Sequence, residues 1–128
     1  MKNINCLLND GQKILSCSST KTSMLDAEIL LCYALKISFK ELVIDRKINI
    51  KNNQINIYKD LIRRRNLGEP VAYIVKNKEF WKYSFYVDKN VLIPRPDSEI
   101  IIEKALKLID IKNKGFILDI GTGSGCLV

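Results

Sequence analysis

The residues best suited to chemistry lie near the end of the chain, in the run Asp119-Ile120-Gly121-Thr122-Gly123-Ser124-Gly125. A glycine-rich turn between a strand and a helix lets a ligand approach the backbone closely, because no Cβ intervenes. The free N–H groups and the helix dipole beyond such a turn can hold an anion. Three ligand classes compete for it. A Walker phosphate loop ends in Gly-Lys-Ser/Thr, and this loop has no lysine. A dinucleotide fingerprint needs G-x-G-x-x-G or Ala, and the sixth position counted from Gly121 is Cys126, so that match fails by one residue. What remains is Asp-x-Gly-x-Gly-x-Gly. The bland alternative is a plain tight turn, which three glycines in five residues after a buried strand disfavour.

The rest of the composition narrows the chemistry further. The chain has 128 residues and no histidine, which removes Ser/His/Asp and Cys/His nucleophilic catalysis and every His-ligated metal site. A cofactor, backbone groups, carboxylates or tyrosine must do the work. At 47% hydrophobic and 27% charged, the sequence reads as a soluble globular protein. The net charge of +7 comes mostly from lysine and reads as solvated surface, since no aromatic-basic cluster accompanies it; no specific nucleic-acid binding is expected. Cys6, Cys17, Cys32 and Cys126 form no C-x-x-C pair and sit among apolar residues, the pattern of reduced, buried thiols in a cytoplasmic protein. No apolar stretch approaches the ~20 residues of a membrane span.

The elements that must position the loop change character near residue 70. Before it the pattern is helical. Ile4, Leu7, Leu8, Ile14 and Leu15 fall on one face of a first helix. Ser23 can cap a second, with Asp26 in its first turn. Leu25, Ala27, Ile29, Leu30, Leu31, Cys32 and Leu35 make that helix apolar over most of its circumference, as expected at the centre of a small bundle. Ser38-Phe39-Lys40-Glu41 is a capping-box pattern opening a short helix to Val43. A polar stretch over 45–53 leads to a fourth helix over 53–67, with Ile57, Tyr58, Leu61 and Ile62 inward. Arg63-Arg64-Arg65 suits the negative end of that helix, and Gly68 and Pro70 stop it.

After Pro70 the period shortens. Segments 71–75 and 78–87 carry six aromatic residues and read as strands, with a tight hairpin around Lys82-Tyr83. Val91-Leu92-Ile93 leads into Pro94-Arg95-Pro96, rigid and extended because each proline fixes its own φ and restrains its predecessor. Asp97 or Ser98 then caps a helix to about Ile109. After Asn113-Lys114-Gly115, the continuous apolar run Phe116-Ile117-Leu118-Asp119-Ile120 is typical of a strand buried on both faces.

The glycine loop resembles the first motif of S-adenosylmethionine-dependent methyltransferases. That cofactor's methionine end carries a carboxylate, which glycine N–H groups suit, and an ammonium group, which Asp119 suits. A second set of blocks is more specific: Arg64-Arg65-Asn66-Leu67-Gly68-Glu69-Pro70-Val71-Ala72-Tyr73-Ile74, then Glu79-Phe80-Trp81, then Val91-Leu92-Ile93-Pro94-Arg95-Pro96-Asp97-Ser98-Glu99. In order and spacing these resemble the glutamine N5-methyltransferases of peptide chain release factors, the HemK/PrmC family, over essentially the whole chain.

The resemblance implies an α plus α/β protein. A small helical bundle over 1–70 recognises the release factor, and a β-hairpin linker follows over 71–93. The start of a Rossmann-like class I methyltransferase domain, truncated, occupies 94–128. It implies S-adenosylmethionine as cofactor and methyl transfer to the side-chain amide of the glutamine in the factor's Gly-Gly-Gln motif. Gly121, Thr122, Gly123, Ser124, Gly125 and Asp119 would bind the cofactor, and Pro94, Arg95 and Pro96 would line the substrate pocket. Asp97 and Glu99 read as acids favouring a helix start, and Phe80 and Trp81 as hairpin packing against the helical domain. The expected protein is a monomer without metal. The alternatives are a methyltransferase for a ribosomal protein glutamine and a non-catalytic helical module that docks a translation factor. Two departures from the family pattern are Lys76 and Lys82, where glycine is usual. The family's Asn-Pro-Pro-Tyr motif, which holds the substrate amide, does not occur, so no catalytic residue is assigned. The chain is expected to be the N-terminal part of a longer enzyme and inactive alone.

Overall fold

The computed structural model describes residues 3–17, 21–44, 49–109 and 116–128. Two compact units divide the chain, Met1–Val75 and Lys76–Val128.

The first unit is helical. It comprises α1 (Ile4–Ser16), α2 (Ser23–Leu35), α3 (Phe39–Ile44), α4 (Asn52–Asn66) and α5 (Val71–Val75). Its core joins Ile4, Leu7, Leu8 and Leu15 of α1 to Ala27, Leu30, Leu31, Ala34 and Leu35 of α2. Leu42, Tyr58, Leu61, Ile62 and Ile74 from the other helices complete it. Three residues expected inside, Ile14, Leu25 and Ile57, stand instead at 47%, 50% and 46% exposure. Each sits beside the buried row of its helix, where apolarity alone does not distinguish flank from face. Where α1 meets α4 the packing depends on Gly11, since a Cβ there would run into Tyr58 Oη. The Tyr58 hydroxyl, fully inside, donates to the carbonyl of Leu7 at 3.2 Å.

The helix ends are set by local chemistry. Asn3 Oδ1 accepts from the Asn5 N–H at the start of α1. Ser23 is the first residue of α2 rather than its cap; Thr22 holds that place, and its hydroxyl donates to Asp26 Oδ1 at 3.0 Å. The capping box of α3 forms as its spacing predicts, with Glu41 accepting from the Ser38 N–H at 2.7 Å and the Ser38 hydroxyl accepting from the Glu41 N–H at 3.2 Å. The Ser38 N–H and the Ser38 hydroxyl, which donates to Glu41 Oε2 at 2.8 Å, together hold the Glu41 carboxyl below the usual glutamate range. Part of the polar stretch expected to lead into α4, residues 45–48, lies outside the described residues.

The three arginines at the end of α4 each have a carboxylate. Arg63 pairs with Asp60 at 2.8 Å and Arg64 with Glu69 at 2.6 Å. Arg65 Nε donates to Asp26 Oδ2 at 2.7 Å, and its Nη1 donates to the Glu69 carbonyl at 3.2 Å. The Asp26 side chain is 8% exposed, so Arg65 ties α2 to the end of α4 where water is nearly excluded. Removing one partner of such a pair typically costs about 3 kcal/mol, chiefly by stranding the other charge.

Segment 71–75 is a helix, not the expected strand. The N–H groups of Tyr73 and Ile74 donate to the Pro70 carbonyl, so the proline that stops α4 also starts α5. Burial of Ile74 in the helical core overrides the β preference of a five-residue run of Val, Tyr and Ile.

The second unit opens with an antiparallel hairpin of β1 (Lys78–Phe80) and β2 (Tyr83–Phe85), paired Lys78↔Phe85, Glu79↔Ser84 and Phe80↔Tyr83. Trp81 and Lys82 therefore form the turn, one residue earlier than expected, and Trp81 takes the positive φ of 57° that the tight reversal demands. Phe80 is buried, its ring edge-on to Phe85 at 6.3 Å. A 3₁₀ turn at Pro96–Ser98 precedes α6 (Glu99–Leu108). The turn expected at Asn113-Lys114-Gly115 lies outside the described residues.

The run Phe116-Ile117-Leu118-Asp119-Ile120 is not a strand, and its four apolar side chains are exposed. Strand structure needs a neighbour to take its N–H and C=O groups. Among the described residues none lies beside it, because β1 and β2 pair only with each other. A Rossmann-like start is thus not seen. The cysteines also differ from expectation: all four are free, but Cys6 and Cys17 are exposed, and only Cys32 and Cys126 are half-buried. Burial, reinforced by Glu28, pushes the Cys32 thiol up.

Candidate functional site

The glycine loop adopts a backbone that needs its glycines. Gly121, Gly123 and Gly125 have φ of 81°, 55° and 76°. The Gly125 N–H donates to the Thr122 carbonyl at 2.8 Å and closes a turn between them. An added Cβ would meet nothing within 4 Å at Gly121 or Gly125, and at Gly123 only the Gly121 carbonyl at 3.8 Å. The demand here is for left-handed backbone, not for space.

Asp119, two residues before the loop, is the most telling group. Its Oδ2 is shielded from water and has no hydrogen-bond donor among the described residues. A buried carboxylate oxygen without a donor costs free energy that a folded protein normally recovers with a partner. An oxygen in that condition beside a glycine loop is suited to a cationic or N–H-bearing ligand. A group with an ammonium-type cation next to a carboxylate suits this arrangement, with Asp119 for the cation and, for the anion, the loop N–H groups other than that of Gly125, which is bonded to the Thr122 carbonyl.

The other predicted residues lie in the same unit. Pro94 is buried, whereas Arg95 and Pro96 are exposed. The Arg95 carbonyl accepts from the Ser98 N–H at 3.0 Å, which fixes the entry into α6. No hydrogen bond or ion pair among the described residues joins 94–96 to 119–125. Asp97 and Glu99 stand at the helix start, and Glu99 has a further role that sequence reading missed: its Oε1 accepts from the Trp81 backbone N–H at 2.8 Å. The hairpin turn is thereby tied to the first residue of α6. Lys82 places its ammonium 5.8 Å from the centre of the Trp81 ring. Lys76 has φ of 54°, a backbone that glycine takes more readily, whereas Lys82 has no positive φ. Among the described residues no group of three or more acids and thiols could hold a metal ion, and no helix is long and apolar enough to cross a membrane.

Comparison with known proteins assigns the helical unit to a class. A family model described as the PrmC N-terminal domain matches residues 7–75, over half of the chain and ending where the first compact unit ends. The chain is 43% identical over 126 residues to a release factor glutamine methyltransferase of Buchnera aphidicola subsp. Schizaphis graminum, covering 98% of this chain and 44% of the relative. The enzyme of the same name from Buchnera aphidicola subsp. Acyrthosiphon pisum is 44% identical over 102 residues, covering 80% of this chain and 36% of the relative. That of Coxiella burnetii is 42% identical over 108 residues, covering 84% and 39%. The chain belongs to the PrmC family of methyltransferases. It spans 36–44% of the length of these three curated relatives.

Proposed function

We propose that this chain serves the S-adenosylmethionine-dependent methylation, in the cytoplasm, of N5 of the glutamine side chain in the Gly-Gly-Gln motif of peptide chain release factors. The observation that carries this reading is the 43% identity to a relative of that name over 126 residues, a span that takes in the helical unit, the hairpin and the glycine loop. The relatives reported above carry release-factor names, which favours this reading over a ribosomal-protein substrate or a non-catalytic module.

In this reading the helical unit engages the release factor, the hairpin links, and the segment from 94 onward opens the catalytic part. Gly121, Thr122, Gly123 and Ser124 offer backbone N–H groups to the carboxylate of the cofactor's methionine end, Gly125 closes the loop through its bond to the Thr122 carbonyl, and Asp119 Oδ2 takes the ammonium group as the donor it lacks. When bound, the cofactor supplies an electrophilic methyl group on a sulfonium. Pro94, Arg95 and Pro96 form a rigid wall that restricts how a glutamine amide can lie. An amide nitrogen is a weak nucleophile, so the contribution of these residues is alignment of the reacting atoms and exclusion of water. No residue of this chain is assigned to remove the amide protons, and the chain alone is inactive in this reading.

A chimaera tests it. This chain replaces the matching segment of the Buchnera relative, and transfer of labelled methyl to a purified release factor is measured. The expected result is transfer by the chimaera, loss of at least tenfold in cofactor affinity in Asp119→Asn, and no transfer by residues 1–128 alone. A chimaera that folds and binds the methyl donor yet leaves the factor unmodified overturns the assignment of substrate. Methylation by 1–128 overturns the assignment of inactivity.

A further inference from the structure

Away from the glycine loop, and wholly within the helical unit, a groove of about 600 Å³ runs between α1 and α4. Each wall is a helical row. On α1 it is Leu7, Gly11 and Ile14, and on α4 it is Lys59, Ile62 and Asn66, spaced i, i+3 or i+4, i+7 along each helix. Two neighbouring helices that present such rows leave a trough shaped to the ridge of a third helix. Gly11 keeps the trough open, because α1 carries no side chain at the point where it passes over Tyr58.

The floor is apolar and one of its residues is incompletely covered. Leu7 and Ile62 are buried at 1% and 2% exposure, while Ile14 above them is 47% exposed. The rim is charged, with Asp10 and Lys13 on α1 and Lys59 and Arg63 on α4. Arg63 is already paired with Asp60. Lys13 and Lys59, one from each helix, have no carboxylate partner among the described residues. The rim therefore offers two solvated lysines, with no carboxylate partner among the described residues, on opposite walls of an apolar trough.

We propose that this groove docks an amphipathic helix of a partner protein whose flanks are acidic. An apolar ridge at i, i+3 or i+4, i+7 covers Ile14 and the floor, and Asp or Glu on either side of that ridge meets Lys13 and Lys59. A polynucleotide does not suit the site, because its phosphates would leave the apolar floor wet and the one aromatic ring, Tyr58, is buried and hydrogen-bonded. A second copy of this chain would bring basic residues in excess of acids, 21 Lys and Arg against 14 Asp and Glu, to a rim that already carries Lys13, Lys59 and Arg63. The proposal concerns the chemistry of the partner and is independent of the methyl-transfer reading.

The test titrates the isotope-labelled 128-residue chain with two synthetic helical peptides that share one leucine ridge, flanked by glutamates in one and by lysines in the other. The expected result is saturable shifts of α1 and α4 amides along the groove with the glutamate peptide, and at least tenfold weaker binding of the lysine peptide. Ile14→Glu lowers affinity for the glutamate peptide at least tenfold. Lys13→Glu combined with Lys59→Glu reverses the preference between peptides. All three positions are exposed, so these variants keep the helical circular dichroism of the parent. Equal affinity for both peptides, shifts confined to other surfaces, or unchanged affinity in Ile14→Glu overturns the proposal. Self-association of the chain through the same amides, broken by Ile14→Glu, overturns the choice of occupant. A release factor that binds the parent and Ile14→Glu equally, while neither peptide binds, removes the groove and leaves the methyl-transfer reading standing.

Discussion

Gly11 and Tyr58 form a couple whose energetics can be separated. A methyl at Gly11 would press on Tyr58 Oη, and the ring cannot retreat, because it is buried and its hydroxyl is bonded to the Leu7 carbonyl. Alanine gains about 1 kcal/mol of helix propensity over glycine, but overpacking a tight contact costs about 1–3 kcal/mol, and the hydroxyl bond is lost as well. We expect Gly11→Ala to lower stability by about 1–2 kcal/mol in urea unfolding. Adding Tyr58→Phe removes the atom in the way, so the double variant should be less damaged than the two single effects added together. Tyr58 also sets a pH limit. Burial, with the Asp10 charge behind it, drives its hydroxyl well above the ordinary tyrosine range. Below pH ~10 both folded and unfolded states keep the proton and nothing is lost. Above it the unfolded chain ionises first and is favoured, so stability should fall by up to about 1.4 kcal/mol per pH unit. Urea midpoints at pH 8 to 11 should show this decline in the parent and a flatter one in Tyr58→Phe. None of this is legible in a string of letters: a lone glycine in an apolar helix reads as tolerated, and Asp26 and Arg65 read as separate helix-end charges 39 residues apart until the fold joins them.

At the scale of elements, two lysines occupy backbone conformations that glycine would take more readily. Lys36, at the end of α2, has φ of 56°, and Lys76, after α5, has φ of 54°. A side chain in the left-handed region costs about 1–2 kcal/mol, of which glycine returns part to the greater entropy of the unfolded chain. Each of Lys36→Gly and Lys76→Gly should therefore raise stability by about 0.5–1 kcal/mol, read as a higher urea midpoint at unchanged slope. Unchanged or lower midpoints would count against the turn geometry. α1, α2 and α4 were legible because each carries apolar spacing over three or four turns, and the short α3 because of its cap chemistry at Ser38 and Glu41. Val71–Val75 was not, since five residues are too few for the two periods to differ and Ile74 is decided by its burial. The apolar run at 116–120 misled for the opposite reason. Its composition suits a buried strand, but pairing is a property of neighbours, and none is present among the described residues. The glycine loop stood out by composition alone. The unpartnered oxygen of Asp119 and the Glu99 bond to Trp81 required coordinates.

The whole molecule is two units of unequal completeness. The helical unit closes its own core from Ile4 to Ile74. Residues 1–75 should thus unfold cooperatively by themselves, with a thermal midpoint within a few degrees of the helical transition in the full chain, measured by circular dichroism. A non-cooperative melt would show that the core needs more than those residues. The second unit, by contrast, exposes Phe116, Leu118 and Ile120 together with Ile100, Ile101 and Leu108 of α6. Apolar surface on that scale lowers the free energy gained by folding the unit.

Trp81 is the sole tryptophan of the chain, and it sits in the second unit at the hairpin turn, held by Glu99 and overlain by Lys82. The helical unit has tyrosines but no indole. Emission excited at wavelengths that tyrosine does not absorb therefore reports on the hairpin and the start of α6 alone, while far-ultraviolet ellipticity reports mainly on the bundle. The chain thus carries an optical label of its own, and the loosening of one unit can be followed in the presence of the other without attaching a dye.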